Sequence, residues 1–371
     1  MLGFYAYMQA TLGPLIPFLR AELSLNYTVA GFHSSAFALG MILAGLSGEI
    51  VANRVGHRLL FWLGGLGMCL GGIILTIGQS ATITILGAFI MGLIGTYLLV
   101  MIQSLLSDEF SLNRAIALTE SNLVASIFAV FAPLMISFSI TIGSDWRIAL
   151  WLGAAVWISM FLLLRTLVFP QRPQLLETKT NASDDSLPAI FWVYWMMVFV
   201  GVAIEWCMIF WLADFLVNAS NIAIDTASLL VSLLLASVIA GRFLGSILSR
   251  YIPTLGLLML TAILIAIGFP IFWLSTTILG HSIGIGIVGI GMANLFPLAL
   301  AAASNVGNNQ VDKASARITL AAGLAILIVP QTLGTLADQV GIFRAYSVLP
   351  ILLIALTFMI AYAWYVDRSK I

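Results

Sequence analysis

Polar and apolar positions along the chain do not alternate on a short period. They sort into twelve long apolar runs separated by short polar breaks, at about residues 1–20, 27–51, 58–78, 82–106, 113–141, 145–169, 189–217, 224–250, 254–274, 277–303, 312–337 and 342–366. A helix needs about 20 apolar residues to cross a bilayer, whereas barrel strands show alternation over about 10 residues. The pattern predicts an all-α membrane protein with twelve transmembrane helices. Glycine and proline inside several runs fit, because helices in lipid tolerate both.

Composition narrows the class. Of 371 residues, 61% are hydrophobic and 8% charged, with a mean hydropathy of +1.11. A soluble domain carries about 25% charged residues. Too few charges remain to clothe a soluble enzyme, a nucleic-acid binder or a disordered scaffold. Lys+Arg and Asp+Glu are both 15, so no global field draws nucleic acid. Cys69 and Cys207 lie inside apolar runs without metal-ligand spacing, and read as small core residues. No metal and no cofactor are expected. No basic segment precedes Gly3, so no cleaved signal peptide is expected, and a very short or truncated leading tail is.

Orientation follows from lysine and arginine in the short breaks. With both termini cytoplasmic, the inner side holds Arg54, Arg58, Arg114, Arg165, Arg172, Lys179, Arg250, Lys313, Arg368 and Lys370. The outer side holds Arg20, Arg147 and Arg344. The balance predicts both termini inside, in the cell (inner) membrane. The longest polar stretch, 170–188, reads PQRPQLLETKTNASDDSLP and has the composition of a linker. It divides the chain into bundles of six runs at 1–169 and 189–371.

The two halves repeat at an offset of 197 residues. Pro133 matches Pro330, and an arginine follows each by fourteen residues, Arg147 and Arg344. Gly48 in GLSGEIVANR matches Gly245 in GRFLGSILSR. Both copies begin on the same side, which predicts a parallel repeat about an axis along the membrane normal.

With these features the chain resembles the major facilitator superfamily over its whole length. That family carries G-x-L-A-D-R-x-G-R-R between spans two and three, and VANRVGHR here supplies Asn53, Arg54, Gly56 and Arg58. Asn53 stands where the family has aspartate, with Glu49 one turn earlier. GIGMANLFPLAL in the tenth run and the LADxxG stretch at Leu336, Ala337, Asp338 and Gly341 are similar to family patterns. GVAIEWCMIFWLADFL in the seventh run is loosely similar to the fucose-permease-like branch. VFAPLMIS keeps Pro133 and lacks the glycines of the drug-antiporter branch.

Ionisable groups at membrane depth are costly and need a reason. Glu205 stands out, sixteen residues or about 24 Å into the seventh run. A carboxyl group there suits proton coupling, or direct binding of a solute. Asp214, at the outer end of the same run, reads as a solvated end residue. His33 and His281 read as structural. The resemblance implies that spans one, four, seven and ten line a central cavity. Its polar and aromatic candidates are Tyr5, Gln9, Tyr97, Gln103, Trp206 and Asn294, with Trp206 alternatively turned to lipid. Such a lining suits a sugar-like or amphipathic molecule.

For the inner gate the candidates are Arg54 and Arg58 with four charges at similar depth, Glu49, Glu120, Arg242 and Arg317. The resemblance packs span two on eleven and span five on eight, which gives the expected pairs Glu49–Arg317 and Glu120–Arg242, formed when the cavity is closed to the cytoplasm. No ATP-binding or hydrolase motif occurs. The function expected is secondary active transport of a small organic solute by alternating access, with proton symport through Glu205. The partners expected are that solute, protons and the lipid bilayer, with no nucleic acid, and the chain is expected to be monomeric. The alternatives are drug or metabolite efflux, and a membrane sensor without flux.

Overall fold

A computed structural model describes residues 1–110, 114–166, 187–306 and 311–368. In chain order the helices are α1 (Leu2–Ala10), α2 (Leu12–Leu23), α3 (Tyr27–Val55), α4 (His57–Ile77), α5 (Ala81–Glu109), α6 (Arg114–Thr141), α7 (Arg147–Leu164), α8 (Ala189–Asn218), α9 (Ile224–Leu248), α10 (Thr254–Leu274), α11 (Ile278–Met292), α12 (Leu295–Val306), α13 (Val311–Val340), α14 (Ile342–Ala345) and α15 (Val348–Arg368). The 170–188 linker falls mainly on 167–186, outside the described residues.

Eleven helical stretches among the described residues are long and apolar enough to cross a membrane. The first predicted span is the twelfth, broken into α1 and α2 at Thr11. Proline has no N–H, so Pro14 cannot bond the Ala10 carbonyl, and the Thr11 hydroxyl donates to Met8 O at 2.7 Å beside the break. Pro297 has the same effect in the tenth span, where α11 and α12 meet at Ala293–Asn294. The outward surface is apolar: Leu163, Leu46, Phe358 and Phe243 are 78, 72, 71 and 69% exposed. In water such a surface would aggregate, and in lipid it is the expected face.

The buried side chains form two clusters. One gathers residues between Leu2 and Leu150, and the other gathers Leu187 to Ala363 together with Ile16, Ala30 and Ala38. The halves meet along α3 with α13 and along α6 with α9. Prolines prepare both seams. Pro330 leaves the Ile326 carbonyl without its helical donor, and Ser34 Oγ donates to it at 3.4 Å while Ser35 Oγ donates to Leu327 O at 2.7 Å. On the other seam Ser232 Oγ donates to Val130 O at 3.1 Å, next to the Ala129 carbonyl that Pro133 frees. Ser35 and Ser232 stand 197 residues apart, as do Val130 and Leu327. The sequence repeat is thus repeated in the hydrogen bonding between halves.

Candidate functional site

A cavity of about 240 Å³ lies between the halves. Gln9 on α1 and Ser126 on α6 enter it from the first half, and Glu205 and Trp206 on α8 with Arg242 on α9 from the second. Ala6, Ala10, Leu12, Ile209, Leu235 and Val238 supply apolar wall. Three of the expected solute-site residues, Glu205, Trp206 and Gln9, therefore come together. Among the described residues Glu205 has no hydrogen bond or ion pair, and Arg242 lies within its electrostatic range.

Trp206 does not turn to lipid. It stacks on Phe37 of the opposite half, with ring centroids 6.3 Å apart and planes at 27°, and packs against both clusters. Tyr97, Gln103 and Asn294 do not line this cavity. Tyr97 shares a 2.8 Å hydrogen bond with Ser47 on α3. Asn294 Nδ2 donates to Gly241 O at 2.7 Å, tying the α11–α12 break to α9. Gln103 is exposed on α5. Tyr5 is buried and hydrogen-bonded to Thr96 at 3.2 Å. At Tyr5, Tyr97 and Asn294 the polar side chains serve neighbouring helices, which lipid favours because unpaired polar groups are costly there. His33 bonds Ala30 O and Thr84 Oγ1, and His281 bonds Phe272 O, as structural histidines do.

Neither expected inner pair is formed. The three ion pairs among the described residues all lie at the opposite end of the bundle. Glu49, Glu120 and Arg317 are exposed. Arg242 Nη1 instead donates to Ser126 Oγ at 2.7 Å. Ser126 is six residues, about 9 Å, deeper along α6 than Glu120, so it meets Arg242 at the level of the cavity. Arg58 donates to the Arg165 carbonyl at the end of α7, and Arg54 is exposed. On α3 and α13 the close approach runs from Tyr27 beside Gly334 to Ile42 beside Gly323. Glu49 and Arg317 lie six or more residues beyond it.

The halves are tied together at the far end. Arg20 Nη1 on α2 bonds both carboxylate oxygens of Asp214 on α8 at 2.7 Å. Asp214 is fully buried, so the expected solvated end residue is instead half of an ion pair joining the halves. The Arg20 guanidinium also lies 3.5 Å from the Tyr27 ring centroid. Asp338 on α13 accepts from Tyr27 N, Thr28 N and Thr28 Oγ1 at 2.7, 2.8 and 2.5 Å. Asn26 takes the next donor, Val29 N, at 2.8 Å. A helix starts with four unpaired N–H groups and a partial positive charge. The opposite half thus supplies part of the α3 cap. Arg20 and Asp214 end the first and seventh spans, which are equivalent in the repeat, and that equivalence is the sequence signal for their pairing. Among the described residues no cluster of metal-ligating side chains occurs, and both cysteines are free and buried.

Known proteins share this fold. The Major Facilitator Superfamily profile matches residues 1–330. The glucose transporter GlcP of Staphylococcus epidermidis is 25% identical over 178 residues, which is 48% of this chain and 39% of that protein. An uncharacterized MFS-type transporter of Yersinia pestis is 24% identical over 358 residues, covering 93% of this chain and 89% of that one. Among solved structures, the nucleoside transporter NupG superposes with a TM-score of 0.78 at 14% identity, over 98% of both chains. The D-xylose-proton symporter gives 0.77 at 15%, over 98% of this chain and 95% of that one. A bacterial homologue of the human lysosomal transporter Spinster, inward-facing and occupied, gives 0.77 at 14%, over 99% and 95%. These superpositions show the fold, and with the profile match they place the chain: it belongs to the Major Facilitator Superfamily.

Proposed function

We propose that the protein is a secondary active transporter that moves a small organic solute by alternating access, with a proton as coupling ion. One observation carries the reading: a cavity walled by both halves holds a carboxyl and an arginine, an ion pair joins the halves at one end, and none among the described residues joins them at the other. The halves are the six-span bundles 1–169 and 189–371. The excess of lysine and arginine puts the Arg54 end and both termini in the cytoplasm, so this state faces inward. The membrane is the cell membrane, and the chain works as a monomer because one copy walls the whole cavity.

Glu205 is the proton site. It is the carboxyl in the cavity wall, and a proton on it changes the charge next to Arg242. The test is solute uptake into proteoliposomes with and without a pH gradient. Glu205→Gln is expected to abolish accumulation driven by the gradient while expression and folding persist. Wild-type accumulation by that variant would overturn the coupling role. Absence of flux for every solute that binds would overturn the transporter.

A further inference from the structure

We infer that the cavity takes a small monocarboxylate with an apolar body, its carboxylate on Arg242, together with one proton on Glu205. The inference deepens the transport reading and rests on it. It starts from the donors and acceptors left over in the wall. Arg242 has five N–H donors and, among the described residues, spends one on Ser126. Ser126 is itself satisfied, since its hydroxyl donates to Asn122 O at 2.8 Å. Gln9 adds an amide. Glu205 is the one carboxyl in the wall. Once Glu205 carries its proton, donors outnumber acceptors, which suits an anion.

The remaining wall argues against a sugar. A hexose carries hydroxyls around its whole rim, and each needs a partner once it leaves water. Ala6, Ala10, Leu12, Ile209, Leu235 and Val238 offer none. An apolar body of a few carbons is what they can cover, and about 240 Å³ limits it to a small one. A planar carboxylate also matches the paired N–H groups of a guanidinium.

Charge balance then sets the coupling. With Glu205 ionised, the empty cavity carries Arg242 positive and Glu205 negative, a sum of zero. A bound carboxylate alone would leave it negative once both ends close and the load crosses the membrane interior, where a net charge is costly. A proton on Glu205 restores neutrality, so one anion moves with one proton and no net charge. Arg242 on α9 is the charged group facing Glu205. Tyr5 and Tyr7 on α1 are engaged elsewhere, with Thr96 and with Ala149 O. The Arg20–Asp214 pair lies at the far end of α8, nine residues on.

The experiment uses the purified full chain and saturated monocarboxylates of four to nine carbons. Each is matched to its primary amide and its α-amino acid, and glucose is added as a hexose. The readouts are ligand-induced thermal shift and Kd. At least one carboxylate is expected to bind ten times or more tighter than its amide, its amino acid and glucose, and more tightly as pH falls. Arg242→Gln is expected to lose at least tenfold in affinity, with Arg242→Lys recovering part of it, and Glu205→Gln to remove the pH dependence. The melting temperature of each unliganded variant checks its fold. Equal binding of acid and amide, or preference for the amino acid or glucose, overturns the inference and leaves the transporter standing. Carboxylate binding without any flux in proteoliposomes leaves the binding inference standing and overturns the transporter.

Discussion

Arg20 and Asp214 close one end of the cavity with a single bifurcated bond, Nη1 to both carboxylate oxygens at 2.7 Å, from opposite halves of the molecule. Asp214 is buried and Arg20 is 16% exposed. Opening this end must part them. Removing one partner of such a pair leaves an uncompensated buried charge and costs about 3–5 kcal/mol. That is enough to invert a two-state balance of a few kcal/mol.

Arg20→Met is therefore expected to favour the state open at the Arg20 end. The check is the labelling rate of a cysteine placed at Ser34, which is buried in the α3–α13 seam. The rate should rise at least tenfold in Arg20→Met. In the double variant Arg20→Met/Asp214→Leu it should fall back, because no lone charge remains. An unchanged rate in the single variant removes the pair from the gate.

Asp338 works at the same seam by a different means. Its carboxylate caps α3 across the interface, so Asp338→Ala orphans Tyr27 N and Thr28 N together. Losing a cap costs about 1–2 kcal/mol. The expected result is a smaller increase in Ser34Cys labelling than Arg20→Met gives, with no change in the inner half of α3. Hydrogen exchange at the start of α3 checks it, and should speed up there first.

Gly334 permits the close approach that this end requires. A Cβ on it would lie 2.7 Å from the Tyr27 carbonyl oxygen and 2.8 Å from Trp211 Cζ2. The carbonyl belongs to helix backbone and cannot rotate away, and Trp211 is held by its bond to Pro330 O at 2.8 Å. Gly334→Val is expected to wedge the seam open and stop net transport while the helix content and the membrane fraction stay unchanged. Wild-type uptake by this variant would show that the seam yields without parting.

The spans were legible because lipid imposes a length and an apolar content that a sequence displays directly. Their interruptions at Thr11 and Ala293–Asn294 were not read from hydropathy, although Pro14 and Pro297 mark both. Glu205, Gln9 and Trp206, which share the cavity wall, were legible as candidates because a polar group at mid-depth needs a reason. Tyr97 and Asn294 met that criterion for another reason, since Ser47 and Gly241 O satisfy them. Arg20 and Asp214 each read as an ordinary charged end of a span. The equivalence of the two span ends in the repeat is the sequence signal that they meet, and the conformational state decides which charges pair.

The same dependence on state bears on Glu49, Glu120, Arg242 and Arg317. In this structure Arg242 holds Ser126, and Glu49 and Arg317 are both exposed. Closing the Arg54 end would bring Glu49 toward Arg317 on the α3–α13 seam. On the α6–α9 seam it would let Arg242 leave Ser126 for Glu120, about 9 Å nearer the start of α6. These two pairs are expected to form when the Arg20–Asp214 pair breaks, so that the molecule exchanges one latch for the other. Cysteines at Glu49 and Arg317 should cross-link poorly in the wild-type background and several-fold better with Gly334→Val, whose wedge favours the opposite state. Charge reversal separates attraction from proximity. Glu49→Arg should weaken closure of the Arg54 end, and Glu49→Arg/Arg317→Glu should recover it. Cross-linking that ignores the wedge, or a reversal that the second change does not rescue, would mean that closure of this end does not depend on the pair.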